Sequence, residues 1–193
     1  MIMAKYPDKK GLVCAMALLP DKSSEVYELM FSILKNKLGE VKVTQVVCDF
    51  ERAVLNTVKQ EFPQVDITGC LFHSRKAIWT HISGPEVGLK PLFVDDVTFQ
   101  EWVYMLYALC YVPPDDVVSA YENVLLPIIL NMTQEGGDWE EGEDQFGVLI
   151  DYLDRTWIGR KPITRQQNQP RRKPLFAIKL WNQVFRYIRP CLS

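Results

Sequence analysis

Apolar positions fall alternately in short runs and in helical spacings along the first 80 residues. Gly11 to Leu19 is a continuous apolar stretch closed by Pro20, and its length predicts a buried strand. Ser23-Ser24-Glu25 then offers a hydroxyl cap and an acid for the first turn of a helix. Val26, Leu29, Met30, Ile33 and Leu34 recur behind it at three- and four-residue spacing, up to about Gly39. Val41 to Cys48 is rich in β-branched residues and predicts a strand ending at Asp49. Glu51 to Phe62 returns to helical spacing until Pro63 stops it, Asp66 to Phe72 is another short apolar run, and His73 to Ile82 reads as a helix. Strand and helix alternating in this way predict an α/β sheet with parallel members.

The second half carries helical spacing without strands. Phe99 to Val112 predicts a helix broken by Pro113-Pro114, and Asp115 predicts the cap of a second helix running to about Leu130. An acidic loop, Thr133 to Asp144, precedes a third helix from Phe146 to Trp157. Residues 158–174 read as an extended linker, and Ala177 to Tyr187 as a last short helix. The expected organisation is an α/β portion over 1–89, a helical insertion over 90–157, and a basic linker with terminal helix over 158–193.

Composition narrows the class. At 48% apolar the chain can bury a core, which excludes a disordered or collagen-like protein. Its longest apolar run, Val124 to Leu130, contains Pro127 and is far short of the ~20 residues that span a bilayer, so no membrane segment is expected. The opening Met1 to Asp8 lacks the layout of a secretory signal, so the expected location is nuclear or cytoplasmic, not secreted. The five cysteines, odd in number and irregularly spaced, then read as thiols rather than a disulfide framework.

Charge is sharply divided. Residues 1–154 hold 12 basic and all 24 acidic residues, a balance of −12, while 155–193 hold 10 basic residues and no acid. Two readings follow: a basic segment that meets polyanions, or one that folds back on the acidic body. For the first, the candidate nucleic-acid contacts are Arg160, Lys161, Arg165, Arg171, Arg172 and Lys173. Clusters on either side of Pro162 to Pro170 also match a bipartite nuclear-import pattern.

Candidate chemistry centres on Asp49, a carboxylate at the C-terminal end of a predicted strand, where open α/β sheets place ligands. The competing reading makes Asp49 the N-cap of the next helix, with Glu51 in its first turn. Cys70 and His73 form a Cys-x2-His pair; Zn²⁺ needs two further ligands, and the alternative is a buried thiol beside a hydrogen-bonded histidine. The five tryptophans read as packing residues rather than a base-stacking platform.

Several segments together resemble the catalytic domain of Mutator-like (MULE-type) transposases, in particular its domesticated or degenerate copies. They are Leu18-Leu19-Pro20-Asp21-Lys22-Ser23 before the helix containing Tyr27, Cys48-Asp49-Phe50-Glu51-Arg52-Ala53, Phe62-Pro63 and Gly69-Cys70-Leu71-Phe72-His73. Gly88-Leu89, Ala108-Leu109, Val112-Pro113, the run Leu153 to Gly159 and Trp181-Asn182 continue the order. The resemblance implies an incomplete RNase H-like sheet followed by an α-helical insertion and a basic C-terminal tail. It also implies an ancestry in DNA strand transfer, in which three acids hold two Mg²⁺ ions that activate the attacking oxygens.

Asp49 matches the second acid of that triad, and Cys70 and His73 match the family's Cys-x2-His element, with a role in local structure or metal affinity. The first acid belongs on a strand upstream of this chain's start, and the third beyond its Trp-Asn element, where 155–193 has no acid. One of three carboxylates remains, so the isolated chain is expected neither to cut nor to join DNA, with Mg²⁺ unbound. A sheet lacking its first strands also exposes an edge near Leu12 to Leu19, the expected site of a protein partner. Two alternatives stand beside this one: a zinc-stabilised interaction module on Cys70 and His73, and a metal-dependent nuclease completed by another chain.

Overall fold

The computed structural model describes residues 2–4, 11–39, 43–134, 142–162 and 170–184, and among them the fold is mixed α/β, mostly helical, with two small sheets. The chain divides into two compact units, Met1–Ile67 and Thr68–Ser193.

In the first unit, β1 (Ile2–Ala4) and β2 (Leu12–Ala15) pair antiparallel, with Met3 opposite Val13 and Ala4 opposite Leu12. The strand expected over 11–19 is therefore confined to Leu12–Ala15, and its partner is antiparallel rather than parallel. Met16, Ala17 and Leu18, poor strand formers, leave the strand, and the Leu18 side chain is fully exposed. Helix α1 (Ser24–Leu38) starts where the sequence predicts: Ser23 Oγ accepts the Val26 N–H, Glu25 occupies the first turn, and Gly39 closes the helix at φ 65°. Strand β3 (Gln45–Cys48) is shorter than the apolar run that predicts it, whose residues 41 and 42 lie outside the described residues.

Helix α2 (Arg52–Glu61) packs on α1: Phe31 is buried and meets Phe62 edge to face at 5.8 Å, above buried Leu55 and Val58. Lys35 lies over the Phe62 ring and pairs with Glu61 at 3.0 Å. Strand β4 (Asp66–Gly69) pairs with β3, the Asp66 N–H donating to the Thr44 carbonyl at 3.0 Å. The described strands thus form two separate ribbons rather than one continuous sheet.

In the second unit, α3 (Leu71–Ser83) and α4 (Lys90–Asp95) precede α5 (Val97–Ala108), whose start is set by Asp96, its carboxylate accepting the Phe99 N–H at 2.7 Å. A 3₁₀ turn, Leu109–Tyr111, ends α5 ahead of the two prolines. The next helix is one rod in three parts: α6 (Val117–Ala120), a π turn (Tyr121–Leu125) and α7 (Leu126–Gln134). Pro127 lacks an N–H and crowds the carbonyl four residues back, and the widened π turn immediately before it absorbs that break. The expected cap at Asp115 is not used: the N-cap is Asp116, without a side-chain bond.

Helix α8 (Gly142–Leu153) likewise runs into a π turn, Asp154–Ile158. Phe99, Trp102, Val103, Tyr121, Ile129, Leu149 and Leu153 are completely or almost completely buried here, and the Trp102 indole N–H donates to the Leu125 carbonyl at 2.9 Å.

The last segment lies over this unit as a strap. Arg172, Leu175 and Phe176 N–H groups donate to the carbonyls of Arg160, Arg155 and Thr156. The final helix, α9 (Ile178–Trp181), is one turn long where a longer helix was expected, and residues 185–187 lie outside the description. Asn182 and Gln183 leave helical geometry because their groups bond elsewhere: the Gln183 N–H to the Cys110 carbonyl, Asn182 Nδ2 to Val112 and Gln183 Nε2 to Gly69. Of the tryptophans read as packing residues, Trp102, Trp157 and Trp181 are buried and Trp79 is half-buried against Phe93; Trp139 lies outside the described residues.

Candidate functional site

Asp49 is the first residue after β3 and is half-buried. It does not cap α2, as one reading of the sequence has it: the helix begins at Arg52 with Glu51 in the N-cap position, and that cap makes no side-chain hydrogen bond. The two residues between Asp49 and the helix carry it out of capping range, since a cap serves the two or three residues that follow it directly.

Glu51 is instead drawn toward the start of α1. Lys22 Nζ donates to Glu51 Oε2 at 3.2 Å, and the Tyr27 hydroxyl donates to Glu51 Oε1 at 3.2 Å. The Tyr27 hydroxyl is raised above its ordinary pKa, first by burial, then by the charge of Glu51 and its hydrogen bond, and also by Asp49. Asp49, Glu51, Tyr27 and Lys22 thus form one acidic corner of the first unit, half-buried except for the exposed lysine. Sequence reasoning finds both acids, and finds Lys22 and Tyr27 only as parts of a resembling segment. That they converge on Glu51 is set by packing across 24 and 29 positions.

Cys70 and His73 stand in the second unit at the start of α3. Cys70 is the N-cap, half-buried and without a side-chain cap bond; His73 is exposed, its ring meeting Phe72 edge to face at 5.3 Å. Neither matches the alternative of a buried thiol beside a hydrogen-bonded histidine: the thiol is half-buried, the imidazole faces solvent, and no hydrogen bond to it occurs among the described residues.

The basic segment folds largely onto acids of its own unit. Asp151 takes both Arg155 Nε at 2.9 Å and Arg160 Nη2 at 2.5 Å, and Lys161 Nζ lies 3.1 Å from Glu122. Arg171 is the deepest: Nε donates to Glu122 Oε1 at 2.9 Å, Nη1 lies 3.0 Å from Asp154 Oδ1 as an ion-pair contact, Nη1 also donates to the Gly159 carbonyl, and the guanidinium covers the Tyr121 ring. Burial works against the Glu122 charge, but Lys161 and Arg171 outweigh it and hold the carboxyl below its ordinary pKa. Arg172 and Lys173 are exposed and form no ion pair among the described residues, and Arg165 lies outside them.

Residues 2–77 match the MULE transposase domain. No curated protein and no solved structure matches the chain. The matched stretch takes in the acidic corner and the Cys70–His73 pair, while the basic segment lies beyond it.

MULE transposases use Mg²⁺, and a two-ion clamp requires carboxylates that converge from several elements. Among the described residues no three of His, Cys, Asp or Glu gather in a way that could hold a metal ion. Glu51, the acid closest to Asp49 in sequence, is already engaged by Lys22 and Tyr27. The described residues do not fit such a clamp. Nor do Cys70 and His73 gather a third ligand there for Zn²⁺. No helix among the described residues is long and apolar enough to cross a membrane.

Proposed function

We propose that this chain is a domesticated or degenerate copy of a MULE-type transposase domain that binds DNA through its basic segment and neither cuts nor joins it. Residues 1–89 are then the RNase H-like portion, 90–157 a helical insertion, and 158–193 the basic tail. The observation that carries the reading is the match over 2–77, a stretch that contains Asp49, Cys70 and His73.

The loss of catalysis is supported by the corner itself. Glu51, the carboxylate nearest Asp49 in sequence, is engaged by Lys22 and Tyr27, which leaves it less available to share a cation with Asp49. DNA binding is supported by Arg172 and Lys173, exposed on a strap fixed by backbone bonds, whereas Arg160, Lys161 and Arg171 must first leave acids of the protein. A protein partner is supported at the β1–β2 ribbon: Leu12, Val13 and Met16 are exposed, and β2, which pairs with β1 on one side, has no second neighbouring strand among the described residues.

Electrophoretic mobility shift with duplex DNA in rising salt tests the binding. The expected result is a complex at low salt whose affinity falls steeply as salt rises; no complex at low salt overturns it.

A further inference from the structure

Two arginines of the second unit converge on one carboxylate. Arg155 Nε lies 2.9 Å from Asp151 Oδ2 and Arg160 Nη2 lies 2.5 Å from Asp151 Oδ1, so each oxygen takes one guanidinium. Asp151, in α8, and Arg155, in the π turn that follows, are four residues apart, a spacing that brings side chains together on a helix. Arg160 comes from beyond the turn at Gly159. Both arginine backbones are tied to the strap: the Leu175 N–H donates to the Arg155 carbonyl at 2.9 Å, and the Arg172 N–H to the Arg160 carbonyl at 2.8 Å.

The side chains themselves stay accessible, at 53% for Arg155, 48% for Arg160 and 47% for Asp151, unlike the Arg171 anchor at 9%. Exposed ion pairs hold weakly, so both guanidiniums can exchange Asp151 for another anion while Arg171 keeps the strap in place. The paired oxygens that they hold are also what a phosphodiester offers, and a guanidinium fork binds either group. Arg172, exposed and joined to Arg160 through the backbone bond, continues the positive surface on the same strap.

We propose that Arg155 and Arg160 form a two-guanidinium phosphate site, that Asp151 occupies it in the free protein, and that a DNA phosphate displaces Asp151 on binding. This rests on the DNA-binding reading and adds to it a contact residue, Arg155, and an internal competitor that lowers the affinity.

The test is a titration of fluorescent duplex DNA with the full chain, followed by anisotropy at several salt concentrations. Asp151→Asn keeps the side chain's shape without its charge and should tighten binding by about three- to tenfold, the product of two exposed pairs no longer broken. Its slope of log affinity against log salt should steepen by about one for each arginine that reaches a phosphate. Glu101→Gln, at an exposed acid of α5 with no ion pair among the described residues, makes the same change in net charge and should alter affinity by less than about twofold. Adding Arg155→Gln and Arg160→Gln to Asp151→Asn should abolish the gain. A complex that Asp151→Asn tightens no more than Glu101→Gln overturns the proposal and leaves the DNA-binding reading standing. So does a gain that survives loss of both arginines. No complex at low salt with either the unmodified chain or Asp151→Asn overturns both.

Discussion

Replacing Arg171 by glutamine removes the charge that joins the strap to the helical body. The side chain is 9% exposed and sits between Glu122 and Asp154, which are 29% and 16% exposed. Without it the two carboxylates remain near the buried Tyr121 with no shared cation. Breaking a buried ion pair on one side costs about 3–5 kcal/mol. Here Glu122 keeps Lys161 at 3.1 Å and both acids retain some water, so a loss of about 2–3 kcal/mol is expected. For a protein of this size that lowers Tm by roughly 4–12 °C.

Lys161→Gln is the matched control. It removes a charge from the same Glu122, but Lys161 is 60% exposed, so its loss should cost about 0.5 kcal/mol or less. Thermal unfolding followed by circular dichroism, with Trp157 and Trp181 fluorescence as a probe of the strap, measures both. Equal and small effects of the two substitutions would refute the view that Arg171 anchors the strap.

Other consequences follow from the same contacts. Glu122 has a lowered pKa when folded, so its contribution is complete above its ordinary value of 4.5 and is lost as pH falls through the depressed value; Glu122→Gln should flatten acid unfolding in that window. His81, stacked on Tyr152 at 3.8 Å, is lowered by burial first and by Arg155, against the opposing pull of Glu86, so folded stability should fall as pH drops from 6.5 toward its depressed value, and His81→Phe should remove that slope. Gly159→Ala should destabilise the second unit by about 2 kcal/mol or more in urea unfolding, since φ is 107° and a Cβ would collide with the Arg172 carbonyl. Arg172→Gln with Lys173→Gln should reduce the slope of log affinity for DNA against log salt by about two.

What the sequence discloses is mostly local. Helix α1 is legible because its cap at Ser23, the acid at Glu25, the apolar spacing and Gly39 all act within one element. The extent of β2 is less so, since an apolar run states burial and not geometry, and Met16 to Leu18 leave the strand into solvent. The strap is not legible: Asn182 reaches Val112 across 70 positions and Gln183 reaches Gly69 across 114, and no local pattern announces either bond. The same limit applies to the acidic corner. Asp49 stands out at a strand end, but whether it caps a helix or stays open depends on α2 starting at Arg52, a boundary shifted by two residues. The charge division, by contrast, shows in composition, and its internal pairing follows from how tightly the basic segment returns to Asp151, Glu122 and Asp154.

The most direct measurement is incubation of the full chain with supercoiled plasmid in Mg²⁺ or Mn²⁺, at low salt where the mobility-shift complex forms. Bound but intact supercoiled DNA is the predicted outcome, the same for the unmodified chain and for Asp49→Ala. Nicked or linear plasmid that depends on the cation, and disappears in Asp49→Ala, would contradict it.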